Sequence, residues 1–166
     1  MNTINYFKGC ITPEQIKETY RELAFTFHPD KGGDLEIMKM INAQYHDLLK
    51  GRNGLKSFTT DNQEYTYKYD ESIEQAVIDK INEFISRALP NIDLLLIGNW
   101  LWITGSTKEV KDHLKAMGFK WHRDKACWFW HAGKWYGKGS KKSLADIADT
   151  YGYKKYSSNL RSTIGD

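Results

Sequence analysis

Pro90 divides the chain by hydrophobic period, and that division limits the fold more than any other feature. On its N-terminal side most apolar residues recur at helical spacing; beyond it they alternate. Ile16, Tyr20, Leu23, Ala24 and Phe27 form one stripe on a 3.6-residue period. Thr12-Pro13-Glu14-Gln15 opens that helix with a threonine cap, a proline at the first helical position and a glutamine three residues after the cap. The helix must end before Pro29, because proline disfavours helical geometry in the residue ahead of it. Asp34 caps a second helix carrying Ile37, Met38, Ile41, Tyr45, Leu48 and Leu49, and "KGRNG" closes it with glycine. The two stripes can face one another as a hairpin, with Tyr6 and Phe7 closing one end. Ser72 to Leu89 reads as a third helix, with Ile73, Val77, Ile81, Phe84, Ile85 and Leu89 on one face.

After Pro90 the period is two. "IDLLLIG-NW-LWITG" reads as a β-hairpin, Thr107 to Met117 as a helix ended by Gly118, and "FKWHRDKACWFWH" as a second hairpin turning near Asp124-Lys125. "SLADIADTYG" is a short helix capped by Ser143. The fold class expected is α+β: a helical hairpin, then a small α+β domain with two β-hairpins and short helices. The expected division is residues 1–52 for the helical unit, 53–71 for a linker with an extended segment at "EYTYKY", 72–153 for the α+β domain, and 154–166 for a fraying tail.

A chain of 166 residues has room for one ordinary domain or two small ones. No apolar run approaches the length of a membrane span, and "MNTINYFKGC" lacks the order of a signal peptide, so no membrane contact and a cytoplasmic location are expected. Cys10 and Cys127 fit neither a disulfide framework nor a zinc ribbon. His113, His122, Cys127 and His131 contain no pair at zinc-finger spacing, and no cofactor or metal is expected. No nucleophile–base pair, phosphate loop or paired-carboxylate motif stands out, so an enzyme is not expected.

The stretch between the first two helices is "FTFHPDKGGD", Phe25 to Asp34. Proline rigidifies such a loop, so His28 and Asp30 would be displayed at low entropic cost. Arg21 lies two helical turns before His28, outside the apolar stripe, where it could extend a polar footprint. A plainer reading makes Asp30 a turn cap and Lys31-Gly32-Gly33 a flexible connection. "YF", then "IKETYRELAFTFHPDKGGD", then "INAQYHDLL" resembles the J domain of the DnaJ co-chaperone family over residues 4–52. The resemblance implies that the hairpin and its His-Pro-Asp loop dock on a DnaK-type 70-kDa heat-shock chaperone and stimulate its ATPase. It implies chaperone binding by His28, Pro29 and Asp30, with Lys17, Arg21 and Lys31 as supporting cations. The chain departs from the family in Glu18 and Glu22, in Phe25, and in Gln44 where the family prefers alanine. It also lacks a Gly/Phe-rich segment and a cysteine-rich zinc module.

The net charge of +3 is unevenly spread. Residues 1–56 carry +1, residues 57–107 carry −5 and residues 108–166 carry +7. All six tryptophans lie between residues 100 and 135, in "WLW", in "WFW", and at Trp121 and Trp135. Aromatic faces interleaved with cations suit single-stranded nucleic acid; the plainer reading is that the tryptophans build the core of a small sheet. Lys120, Arg123, Lys125, Lys134, Trp135 and Lys138 are the candidate contacts. "KEVKDHLKAMGFKWHRDKACWFW" also resembles a short tryptophan-rich module of phage and mobile-element proteins, with no role carried over.

The function expected is a J-domain co-chaperone that recruits or stimulates a DnaK-type chaperone and targets it, through its basic aromatic C-terminal domain, to a client protein or nucleic acid. The alternative is a nucleic-acid- or protein-binding adaptor, of viral type, that uses a J-like fold without a chaperone partner.

Overall fold

The computed structural model describes residues 3–57 and 63–133, residues 143, 144, 146 and 147, and the backbone of residues 58, 156 and 157. Helix α1, Pro13–Phe27, starts at the reciprocal box foreseen for Thr12 and Gln15: the Thr12 side chain accepts from Gln15 N, and the Gln15 side chain accepts from Thr12 N. Helix α2, Leu35–Lys50, starts at Asp34, whose carboxylate accepts from Glu36 N and Ile37 N. Their stripes meet, with the Tyr20 and Tyr45 rings 4.5 Å apart. Phe7 is buried at one end of this seam, and Gln44 clamps the leading segment by accepting from Tyr6 N and donating to Ile4 O. A glutamine is therefore useful at a position where an alanine could hold nothing.

Among the described residues of 53–71, the extended segment expected at "EYTYKY" contains a strand. Strands β1, Lys56–Phe58, and β2, Glu64–Thr66, pair antiparallel, and Tyr67 is buried just beyond them. Helix α3, Glu71–Arg87, is capped by Asp70 and ends at Ala88, which sits in the left-handed region at φ 49. Its end comes two residues before the expected Leu89 because Pro90 excludes helical geometry from its predecessor. Its inward face is also turned from the expected stripe: Glu74 and Ile78 are buried, whereas Ile73 is half-buried.

Strands β3, Ile92–Ile97, and β4, Trp100–Gly105, form the first predicted hairpin around Gly98-Asn99, with Gly98 at φ 59. The helix expected over Thr107 to Met117 is a 3-10 turn, Thr107–Val110, followed by α4, Lys111–Ala116. Strands β5, Lys120–His122, and β6, Cys127–His131, form the second hairpin. Its register pairs His122 with Cys127 and leaves residues 123–126 in the turn. With β7, Tyr156–Ser157, these four strands make a five-stranded antiparallel sheet in the order β5-β6-β4-β3-β7, separate from the β1–β2 pair.

Alternation along these strands gives the sheet two buried faces. Leu94, Leu96, Leu101, Ile103 and Trp128 join the residues of α1, α2 and α3 in one continuous core. Leu95, Ile97, Trp102 and Cys127 form a second cluster on the opposite face, against which Leu144 and Ile147 pack. The described part of the final helix begins as foreseen, with the Ser143 hydroxyl accepting from Asp146 N. Tyr67, with Tyr65 and Tyr69 packed alongside, belongs to the same core as the helical hairpin and the sheet.

Candidate functional site

His28 leaves α1 in an extended conformation, φ −61 and ψ 132, as a residue preceding proline must. Pro29–Lys31 form one 3-10 turn. His28 holds that turn twice: its Nδ1 accepts from Asp30 N at 3.1 Å, and its carbonyl accepts from Lys31 N and Gly33 N. An accepting Nδ1 fixes the imidazole as the tautomer with its proton on Nε2. Gly32 adopts φ 81, a left-handed conformation that costs side-chain-bearing residues energy. Gly33 passes so close to the end of α1 that a Cβ there would lie 2.0 Å from the Phe27 carbonyl oxygen. Glycine is thus favoured by the turn at Gly32 and required at Gly33, and the stretch is an ordered cap rather than a slack connection.

The loop does not display all three of its motif residues. Pro29 and Asp30 are exposed and Lys31 is half-buried, but His28 is 7% exposed. The larger correction concerns Lys17 and Arg21, which the resemblance makes supporting cations of a docking face. They are 2% and 1% exposed. Lys17 Nζ lies 3.1 Å from Glu74 Oε1 and donates to Gly98 O and Asn99 Oδ1, each at 2.9 Å. Arg21 donates from Nη1 to Leu94 O at 3.0 Å. The physical reason is that α3 and the β3–β4 hairpin cover this side of α1, and offer a carboxylate and strand carbonyls to its two cations. Phe25, one of the departures from the family, is half-buried with its ring edge-on to Phe84 at 6.2 Å.

Glu74 completes this joint and was not foreseen. Tyr67 OH donates to its Oε1 at 2.9 Å and Tyr45 OH to its Oε2 at 2.8 Å. Burial, reinforced by the Glu74 carboxylate, pushes the Tyr45 phenol well above its ordinary range, so it stays a donor. The only sequence signal is a glutamate one position after Ile73, at the border of the apolar stripe, and such a residue ordinarily faces water. On the side of α1 that remains in water, Glu22 is exposed and Glu18 half-exposed. The charge displayed beside the loop therefore includes Glu22 and Asp30, while both nearby α1 cations are spent internally.

Three of the candidate nucleic-acid residues lie at the β5–β6 edge of the sheet. Lys120 and Arg123 are exposed and Lys125 half-buried on the β5–β6 hairpin. Lys134, Trp135 and Lys138 lie outside the described residues. Trp102 and Trp128 are core residues at 5% and 6% exposure, on opposite faces of the sheet. Trp100 stacks on Trp102 with centroids 5.4 Å apart, and Trp130 receives the Lys80 ammonium at 5.4 Å from its ring centroid. Trp121, which sequence reasoning passed over, is 49% exposed. Among the described residues no group of histidine, cysteine and carboxylate side chains could hold a metal ion, and no helix is long and apolar enough to cross a membrane.

No family model matches this chain, and no solved structure matches it. A stretch of 37 residues, 22% of the chain, is 51% identical to DnaJ protein homolog 2 of Allium porrum, and spans 9% of that protein's length. That similarity, together with a helical hairpin joined by His28-Pro29-Asp30, gives the chain a J-domain-like relationship over a limited part of its length.

Proposed function

We propose that this chain is a J-domain-type co-chaperone that engages a DnaK-type heat-shock chaperone through the turn at Pro29 and Asp30. The observation that carries this reading is the turn itself: Pro29 and Asp30 stand exposed on a backbone fixed by His28 and by the two glycines that follow. A pre-formed loop loses little entropy on docking, which suits a short contact that must signal. The sheet unit, fused to the hairpin, would then hold the client or nucleic acid to which the chaperone is delivered. The setting is cytoplasmic, and the chain itself performs no catalysis.

A second reading rests on the burial of Lys17 and Arg21: a J-like fold retained as the scaffold of a binding adaptor, without a chaperone partner. ATPase stimulation of a DnaK-type chaperone by the full chain separates the two. On the co-chaperone reading, Asp30→Asn abolishes stimulation while leaving thermal stability nearly unchanged, within the roughly 0.5 kcal/mol typical of surface sites. Absence of stimulation by the native chain leaves the adaptor reading standing alone, whereas its full retention in Asp30→Asn would move the chaperone contact away from this turn.

A further inference from the structure

We propose that the β5–β6 edge of the sheet binds single-stranded nucleic acid, with the exposed indole of Trp121 as the stacking platform. Three structural observations converge there. β5 ends the strand order, so Trp121 stands on an outer edge of the sheet. Trp121 pairs across the ladder with Trp128, and its ring meets that of Trp128 edge-on, with centroids 5.7 Å apart and planes at 66°. Trp128 is itself a residue of the main core, so the exposed ring is braced by a fixed one. A tryptophan half in water forgoes much of the stabilisation its burial would bring, and here the core makes only edge contact with it.

The charge around this ring has one sign in excess. Residues 108–125 carry six lysines and arginines against Glu109, Asp112 and Asp124. Lys120 and Arg123 flank Trp121 in exposed positions. Lys111 and Lys115 are exposed on α4, which leads into β5 through Gly118, with Phe119 N donating to Leu114 O at 3.0 Å. None of these four cations forms an ion pair among the described residues, whereas Lys17, Lys39, Lys56, Lys80 and Arg87 each do. Unpaired, exposed cations on the strand that carries Trp121, on its turn and on the preceding helix are complementary to phosphates spaced along a strand whose bases are free to stack. A duplex hides its base faces and offers Trp121 nothing to stack on. An exposed ring with peripheral cations therefore selects the single strand.

The test is a fluorescence titration of the full chain with a single-stranded DNA oligonucleotide and with RNA of the same sequence, at low and rising salt. Binding quenches tryptophan emission, and Trp121→Ala removes part of that quenching and weakens affinity by roughly tenfold or more. Trp121→Phe keeps most of the affinity, because a phenyl ring still stacks. Lys120→Ala and Arg123→Ala each lower the log–log salt slope by about 0.7. Thermal melting of each variant checks that the fold is retained. Unchanged affinity in Trp121→Ala, equal losses in the Phe and Ala variants, or tighter binding to a duplex of the same sequence overturns the proposal. Capture of anionic vesicles without capture of either oligonucleotide overturns it as well.

Discussion

Lys17 and Glu74 form an ion pair at 3.1 Å whose side chains are only 3% and 1% exposed. Charges so placed survive only when their remaining hydrogen-bonding capacity is met. Lys17 meets it with Gly98 O and Asn99 Oδ1, and Glu74 with the hydroxyls of Tyr45 and Tyr67. The ion pair thereby ties α1 and α3 to α2, to the residue after β2 and, through Lys17, to the β3–β4 turn.

Removing either charge alone strands the other. Lys17→Met or Glu74→Gln is expected to lower stability by about 3–5 kcal/mol, as for other buried pairs broken on one side. The double variant Lys17→Met/Glu74→Gln is expected to lose less than the two single losses added, because neither change then leaves a buried charge behind. Denaturant melts of the four proteins measure this coupling.

A fragment of residues 1–52 is expected not to fold cooperatively. It would place Lys17, Arg21 and Phe25 in water, and would remove Phe84 and the sheet from a core already too small for independence. Circular dichroism on heating is expected to show a broad, shallow change for the fragment and a sharp transition for the full chain.

The two glycines of the loop are expected to differ in tolerance. Gly32→Ala meets no neighbour and should cost about 1–2 kcal/mol, the penalty of a left-handed backbone. Gly33→Ala drives a Cβ into the Phe27 carbonyl and should cost more, about 3 kcal/mol. Paired melting curves read the difference; equal losses would mean the turn relaxes around Gly33.

The two thiols should separate by reactivity. Burial pushes the Cys127 thiol up to about 11, which keeps it protonated at neutral pH, where only the thiolate is nucleophilic. Cys10 is half-exposed. A disulfide reagent added to the native protein near pH 8 is expected to modify Cys10 readily, and Cys127 only on unfolding. For Cys127, modification in the folded state should rise only as pH approaches 11.

Local chemistry was legible in the residues. Thr12 with Gln15, Asp34, Pro29 and the Gly98-Asn99 turn act through neighbours a few positions away, and each does what its type and spacing dictate. The facing stripes of α1 and α2 were equally plain. Lys17, Arg21 and Glu74 were not, because a charged residue beside an apolar stripe reads as a solvent face. Their burial depends on partners far along the chain, such as Gly98 for Lys17 and Leu94 for Arg21. Trp121 differs from Trp128 in the same way: both sit in aromatic, alternating sequence, and only the strand order shows that one lies on an edge strand. The cationic side of α1 was misread as a surface for this reason, while the end of α1 ahead of Pro29 was anticipated.

The fused joint at α1 also removes slack. Modules on a flexible tether explore many separations, and their second binding step is governed by the tether's length. Here the turn at Asp30 and the strand edge at Trp121 are parts of one packed body, so the distance between them is a dimension of the fold. Two macromolecules held at these places would have to suit a single span, and a pair of the wrong reach would exclude one another. The gain is that the second arrives without the loss of freedom that ordering a tether would impose.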